Sequence, residues 1–327
     1  AGGIIGRLMT LDHPVLSSLL PVVLLIFIGF VAGKAKLIRG EAVRDLSNLV
    51  FLVLTQALLF RTMSSVHIER LDFKSVALYY AVAGALFIVL LLVQGLSSRA
   101  AVLALAAIFS NTLMIGVPLV GLAYGEAGLV QLFTLISMHA LVLLTFATVV
   151  LELLVAHEDA QAGGGAQRHM LVTVAQAVKN AIIHPVPLPI IAGLLYAQTG
   201  WGLHPVVERP LKLLGDAFGP VALVLVGVTL AHASIGAQLK GALVISLLKT
   251  VLHPVLMLAA GWALGLRGMP LGVMVVAAAL PVGANVFLFS QRYRKAEDIV
   301  TASVAVSTAL ALVSVSLVMA LIPKLPG

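Results

Sequence analysis

The chain has 327 residues, 61% of them hydrophobic, only 10% charged and none cysteine. Its mean hydropathy of +1.13 excludes a soluble domain, whose charged share is usually about 25%, and the lack of cysteine excludes disulfides, thiol catalysis and thiolate-held metals. The net charge of +7 lies in short loops and not in clusters interleaved with aromatics, which excludes a nucleic-acid partner and leaves the lipid bilayer as the medium.

A helix crosses the hydrocarbon layer with about 20 apolar residues. Ten such spans can be marked, at 14–33, 46–66, 75–97, 100–123, 128–155, 184–201, 217–236, 241–266, 270–291 and 297–322. Residues 1–8 differ in character from the rest of the chain, and Met9-Thr10-Leu11-Asp12 reads as a natural start. The first apolar run has its positive charges after it, not before it, and so reads as a span and not as a cleavable leader. Asp72, between Arg70 and Lys74, marks a solvated charge cluster where the third span begins. Ser47, Asn48, Thr55 and Gln56 place polar groups in the second span, facing a cavity or bonding between helices.

The longest polar stretch runs from His157 to Met170 and contains Gly-Gly-Gly at 163–165, a flexible linker. It divides the chain into a first half (1–156), the linker (157–170) and a second half (171–327). Residues 171–183 and 205–216 predict short amphipathic helices ahead of the sixth and seventh spans. His13, His184, His204 and His253 each precede a proline, which predicts helix starts with an interfacial histidine. No HExxH or CxxC-type spacing points to a metal, and no cofactor is expected.

The fourth and ninth spans are interrupted. The fourth contains Ser110–Val120, SNTLMIGVPLV, and the ninth contains Leu280–Phe289, LPVGANVFLF. Pro118 and Pro281 each remove a backbone donor, and an unpaired backbone group in hydrocarbon costs several kcal/mol. Such breaks are tolerated where they are buried in protein or line a wet cavity, and a matching pair of them marks a transporter's binding site. Five spans per half make the second half enter the membrane from the opposite face, an inverted repeat. Landmarks recur in register: Gly29 with Gly193, Ala57-Leu58 with Ala222-Leu223, Pro118 with Pro281. Basic residues cluster at 34–44 and 292–295, both in odd-numbered connections. That bias puts the odd loops in the cytoplasm and both termini outside an inner (plasma) membrane.

These residues resemble the auxin efflux carrier family. The likeness rests on SNTLMIGVPLV, the Asn180–Pro185 lead-in, PVALVLVGVTLA in the seventh span and LPVGANVFLFSQRY in the ninth, and it runs over essentially the whole chain. It implies an all-α integral membrane protein of ten transmembrane helices in two inverted five-helix repeats, with the fourth and ninth helices unwound and crossing near the midplane. It also implies a scaffold domain and a moving transport domain, as in bile-acid sodium symporters. Malonate or a similar small carboxylate is the family-suggested substrate. The short central loop resembles the bacterial members. Gln56 departs from the family, which often has proline there.

Asn111 and Asn285 lead the candidate residues. Each amide lies beside a break and can either hold an anion, helped by the positive ends of the half-helices, or satisfy the freed backbone. Ser110, Thr112, Gly116, Gly283, Pro118 and Pro281 shape the same place. Lys249, the one basic residue deep in a span, either supplies countercharge or proton coupling or snorkels to the interface. His139 in the fifth span either relays protons or packs.

The function expected is secondary transport of a small organic anion. No G-x-x-x-x-G-K-[ST] signals ATP hydrolysis. An intramembrane enzyme would need G-x-S-x-G or mid-span carboxylates, and the chain has neither. A sodium-coupled symporter of the bile-acid type and an anion channel are the alternatives. The lack of mid-span acids favours proton coupling or uniport. The assembly state stays open, with a homodimer as one option.

Overall fold

The computed structural model describes residues 14–161, 186–233 and 236–321, together with Ala175 and Lys179. His13, Gly163 to Gly165, Asn180, His184 and Pro185 therefore lie outside the described residues. Of the predicted piece at 171–183, only Ala175 and Lys179 are described, both helical.

Among the described residues the chain is all helix. Six stretches are long and apolar enough to cross a membrane: Ala42–Met63, Phe73–Gln94, Thr112–Glu158, Pro205–His232, Leu239–Ala263 and Glu297–Leu321. The helices are α1 (Pro14–Lys34), α2 (Ala42–Leu49), α3 (Thr55–Met63), α4 (Phe73–Gln94), α5 (Ser98–Ile108), α6 (Val117–His139) and α7 (Thr145–Gln161). After the linker come α8 (Pro187–Ala197), α9 (Pro205–His232), α10 (Leu239–Leu247), α11 (His253–Ala263), α12 (Gly268–Ala279), α13 (Asn285–Tyr293) and α14 (Glu297–Leu321).

Caps explain several starts. Asp72 Oδ1 accepts from Lys74 N at 3.1 Å and Ser75 N at 3.2 Å, so the charge cluster there opens α4 as an N-cap. His204 Nδ1 accepts from Val206 N at 3.3 Å and Pro205 takes the first helical position of α9, where its missing N–H is tolerated. α9 then runs 28 residues through Pro210 and Pro220. The separate amphipathic piece expected at 205–216 is thus the first half of one continuous helix. Within α6, Gly125 has φ 63° and ψ −156°, a left-handed conformation that suits glycine and kinks the helix inside Thr112–Glu158.

Among the described residues four π turns widen the helices, at Val50–Leu54, Thr112–Gly116, Ala140–Leu144 and Leu248–Leu252. The first lies just ahead of Gln56. No proline is needed for the irregularity, because side chains take up the carbonyls it frees: Thr55 Oγ1 donates to Val50 O at 2.8 Å and Gln56 Nε2 to Phe51 O at 3.0 Å. The last corrects the reading of His253. This histidine does not open a span at the interface. It is 0% exposed and sits inside Leu239–Ala263, where the π turn ends and Pro254 begins the next regular turn.

α1 packs along α9 with backbones nearly touching. A Cβ on Gly29 would fall 2.0 Å from Val224 O, and one on Gly227 would fall 2.0 Å from Ile26 O. Small residues at such a spacing are how helices associate in lipid, where no hydrophobic drive separates helix from solvent. α3 packs against both α8 and α9, while α5 packs on α4 and α7, α10 on α14, and α11 on α12. Phe27, Ile28, Leu92, Val93, Val255 and Leu317 face outward, as a lipid-facing surface requires.

Candidate functional site

The chain leaves α5 at Ile108 and α12 at Ala279, and the two breaks then pair with one another. Asn111 N donates to Pro281 O at 2.9 Å, and Gly283 N donates to Phe109 O at 2.9 Å, forming a short antiparallel bridge between Ser110 and Val282. Val282 N donates to Ser307 Oγ of α14 at 3.0 Å. Each break thus satisfies the other's backbone, which is how irregular chain survives at membrane depth. The approach is close enough to demand glycine: a Cβ on Gly283 would lie 2.7 Å from Phe109 Cδ1 and 3.0 Å from Ser110 O.

Beyond the breaks the chain becomes helical again. Asn111 caps the π turn that leads into α6, its Oδ1 accepting from Met114 N at 3.3 Å. Asn285 is the first residue of α13, and its side chain makes no hydrogen bond among the described residues. A cavity of about 250 Å³ opens here, lined by Ser110, Asn111, Thr112, His139, Gly283 and Asn285, with apolar walls that include Phe51, Ile136, Pro187 and Leu288. Two half-helix N-termini border one cavity, and each carries partial positive charge. Among the described residues, no Asp or Glu lines it.

The other residues singled out in the sequence stand behind this wall. Gly116 packs on Leu280, where a Cβ would meet Leu280 Cδ1 at 2.7 Å. Pro281 contributes its carbonyl to the bridge. Pro118 is buried in the first turn of α6, a position proline tolerates, and the break itself lies at 109–111, several residues earlier. Lys249 is 0% exposed. It does not snorkel; its Nζ donates to Ala278 O in the last turn of α12, and no carboxylate pairs with it among the described residues.

Several neighbours were not singled out in the sequence. Tyr79 donates to or accepts from Ser110 Oγ at 2.9 Å, and its ring lies 5.4 Å from that of His253 and 6.2 Å from that of His139. Tyr80 Oη donates to Leu135 O at 2.6 Å. Adjacent tyrosines in an otherwise aliphatic span were the only available signal. At the end of α7, Glu158 accepts from Ser98 N at 2.6 Å and Ser98 Oγ at 2.8 Å, and pairs with Lys295 at 3.2 Å. Tyr293 Oη donates to Glu152 Oε1 at 3.0 Å. These carboxylates fasten α7 to the start of α5 and to the end of α13, the outer ends of both broken helices.

Known proteins resemble this chain in sequence over most of its length. A "Putative malonate transporter" of Rhizobium meliloti is 29% identical over 312 residues, 91% of this chain and 92% of that protein. Auxin efflux carrier component 8 of Arabidopsis thaliana is 23% identical over 242 residues, 63% of this chain and 66% of its own. Auxin efflux carrier component 3a of Oryza sativa is 31% identical over 140 residues, 41% and 23% respectively. The family described as membrane transport protein matches residues 14–319. An all-helical chain with membrane-length spans and two paired helix breaks, matched nearly end to end, belongs to the membrane transport protein family, whose members are transporters and not enzymes.

Proposed function

We propose that the chain is a secondary transporter of a small organic anion, malonate or a similar carboxylate, bound at the crossover. The observation that carries this reading is the convergence of Asn111 and Asn285, each at the start of a half-helix, on one cavity without acidic lining. Carboxylate oxygens accept from backbone N–H groups and amides, and Ser110 and Thr112 add hydroxyls. The name of the Rhizobium relative agrees with a carboxylate.

The architecture proposed is ten spans in two inverted five-helix repeats, 1–156 and 171–327, in the inner (plasma) membrane with both termini outside. Helix contacts support it. Gly29 of α1 meets Val224 of α9, and Gly193 of α8 meets Phe60 of α3, where a Cβ would lie 2.7 Å from Phe60 O. The first helix of each half thus rests on the second helix of the other, and both partners repeat at one offset: 193 − 29 = 164 and 224 − 60 = 164. Cavity walls come from the bridge on one side and from Phe51, Val186 and Pro187 on the other. Elevator-like motion of the bridge past that second wall would expose the cavity alternately.

Binding and uptake of a carboxylate panel in proteoliposomes, with and without sodium and pH gradients, tests this. Saturable malonate-type flux that survives replacement of sodium by choline is expected. Absence of saturable flux for every carboxylate would refute the reading. Loss of flux in choline, restored by sodium, would favour a sodium symporter, and non-saturating flux a channel.

A further inference from the structure

From the cavity wall to the space behind the bridge runs a group of polar side chains to which anion binding gives no role. His139 is 4% and His253 0% exposed, and among the described residues all four of their ring nitrogens lack a hydrogen-bond partner. Both rings flank Tyr79, whose hydroxyl bonds Ser110 in the cavity wall. Lys249 precedes His253 by four residues, so the two share a helix face across the π turn. Its Nζ reaches Ala278 O. The group therefore runs from the cavity, which His139 lines, to the carboxy end of α12.

A buried polar atom without a partner is destabilising, and these two rings hold four such atoms among the described residues. π turns recur at functional sites, and one sets Lys249 and His253 here. The donor set decides what they serve. Sodium takes oxygen ligands, as hard cations do, and these are nitrogens. Among the described residues no group of three or more His, Asp or Glu could hold a metal. A proton is the cation that fits, and chains of ionisable side chains within a membrane mark proton paths.

We propose that His139 and His253, with Tyr79 and Lys249, form a proton-holding site behind the crossover that makes transport proton-linked. It rests on the carrier reading above. One proton leaves hydronium on the side from which the anion binds and forms an N–H bond on a histidine ring. That bond breaks when the proton returns to water on the opposite side, so one proton moves with each anion in the same direction. The ionisable groups facing the site are few. α4 presents Tyr79 and Tyr80, the π turn Lys249, and α6 and α11 one histidine each. α12 carries none, and α14 offers only hydroxyls such as Ser307 and Thr308. Glu152, midway along α7, and Glu158, near its end, are engaged with Tyr293, Ser98 and Lys295.

The full chain in proteoliposomes with an entrapped pH dye tests this, using malonate or whichever panel carboxylate exchanges fastest. The unaltered protein should acidify the lumen when the anion is added outside. His253→Gln, whose amide still donates and accepts hydrogen bonds but cannot take a proton, should cut anion-evoked acidification about tenfold or more. Anion-for-anion exchange should stay within about twofold, because His253 does not line the cavity. Tyr79→Phe should lie between the two. Exchange without acidification in the unaltered protein would overturn the proton site while leaving the carrier reading intact. So would His253→Gln with acidification intact, or with exchange and acidification lost in equal proportion while Tyr79→Phe is silent. No exchange of any carboxylate would refute the carrier reading, and this inference with it.

Discussion

Asn111 and Asn285 occupy matching places at the two half-helix starts, yet the structure makes their replacement by alanine unequal. Asn111 Oδ1 accepts the Met114 N–H at 3.3 Å, so Asn111→Ala removes a cap from the π turn. Loss of an Asn cap costs about 0.5–2 kcal/mol, and the bond is long, which places the effect toward the lower half. Asn285 makes no such bond, so Asn285→Ala should change stability by less than about 0.5 kcal/mol. Binding should fall for both. A buried carboxylate left without a partner costs about 1–3 kcal/mol, roughly a 5- to 150-fold rise in Kd at 1.4 kcal/mol per tenfold. Melting of the detergent-solubilised protein gives the first quantity and ligand-induced stabilisation with graded malonate gives the second. Since both amides border one cavity, the double variant should lose less than the sum of the two. Equal melting shifts with unchanged Kd would mean that both amides serve only the helix breaks, and the binding argument would fail.

Other consequences are as direct. Gly283→Ala drives a Cβ to 3.0 Å from Ser110 O, backbone that cannot swing away, and should cost about 1–3 kcal/mol as overpacking does, read as a lower melting temperature and reduced folded yield. Glu158→Ala removes the acceptor for Ser98 N and Oγ and should cost more than Lys295→Met, because the half-exposed ion pair at 3.2 Å is worth only about 0–1 kcal/mol; equal costs would show that the pair, not the cap, fastens α5. A cysteine introduced at Gly164, in a chain with no native cysteine, should react with an impermeant reagent only from the cytoplasmic face, and labelling from outside in intact cells would invert the proposed topology.

The medium, the helical class and the two interruptions can all be read from the order of residues. Long aliphatic runs leave the backbone no partner but itself in lipid, so SNTLMIGVPLV and LPVGANVFLF read as exceptions needing a reason. Helix starts were legible for the same local cause, at the charge cluster around Asp72 and at His204 before Pro205; that Asp72 itself caps the helix came from the structure. Where the freed groups go is a matter of packing. The pairing of Asn111 N with Pro281 O and of Gly283 N with Phe109 O joins segments about 170 residues apart, and no local rule of spacing encodes it. His253 shows the same limit. His-Pro reads locally as a helix start, but the π turn at Leu248–Leu252 absorbs the proline within a span and buries the ring. Tyr79 went unnoticed because one hydroxyl in an apolar helix has no periodic signature; its meaning comes from Ser110 and two histidines brought in from three other segments. Local physics sets which backbone groups must be satisfied, and only the packed helices supply the partners.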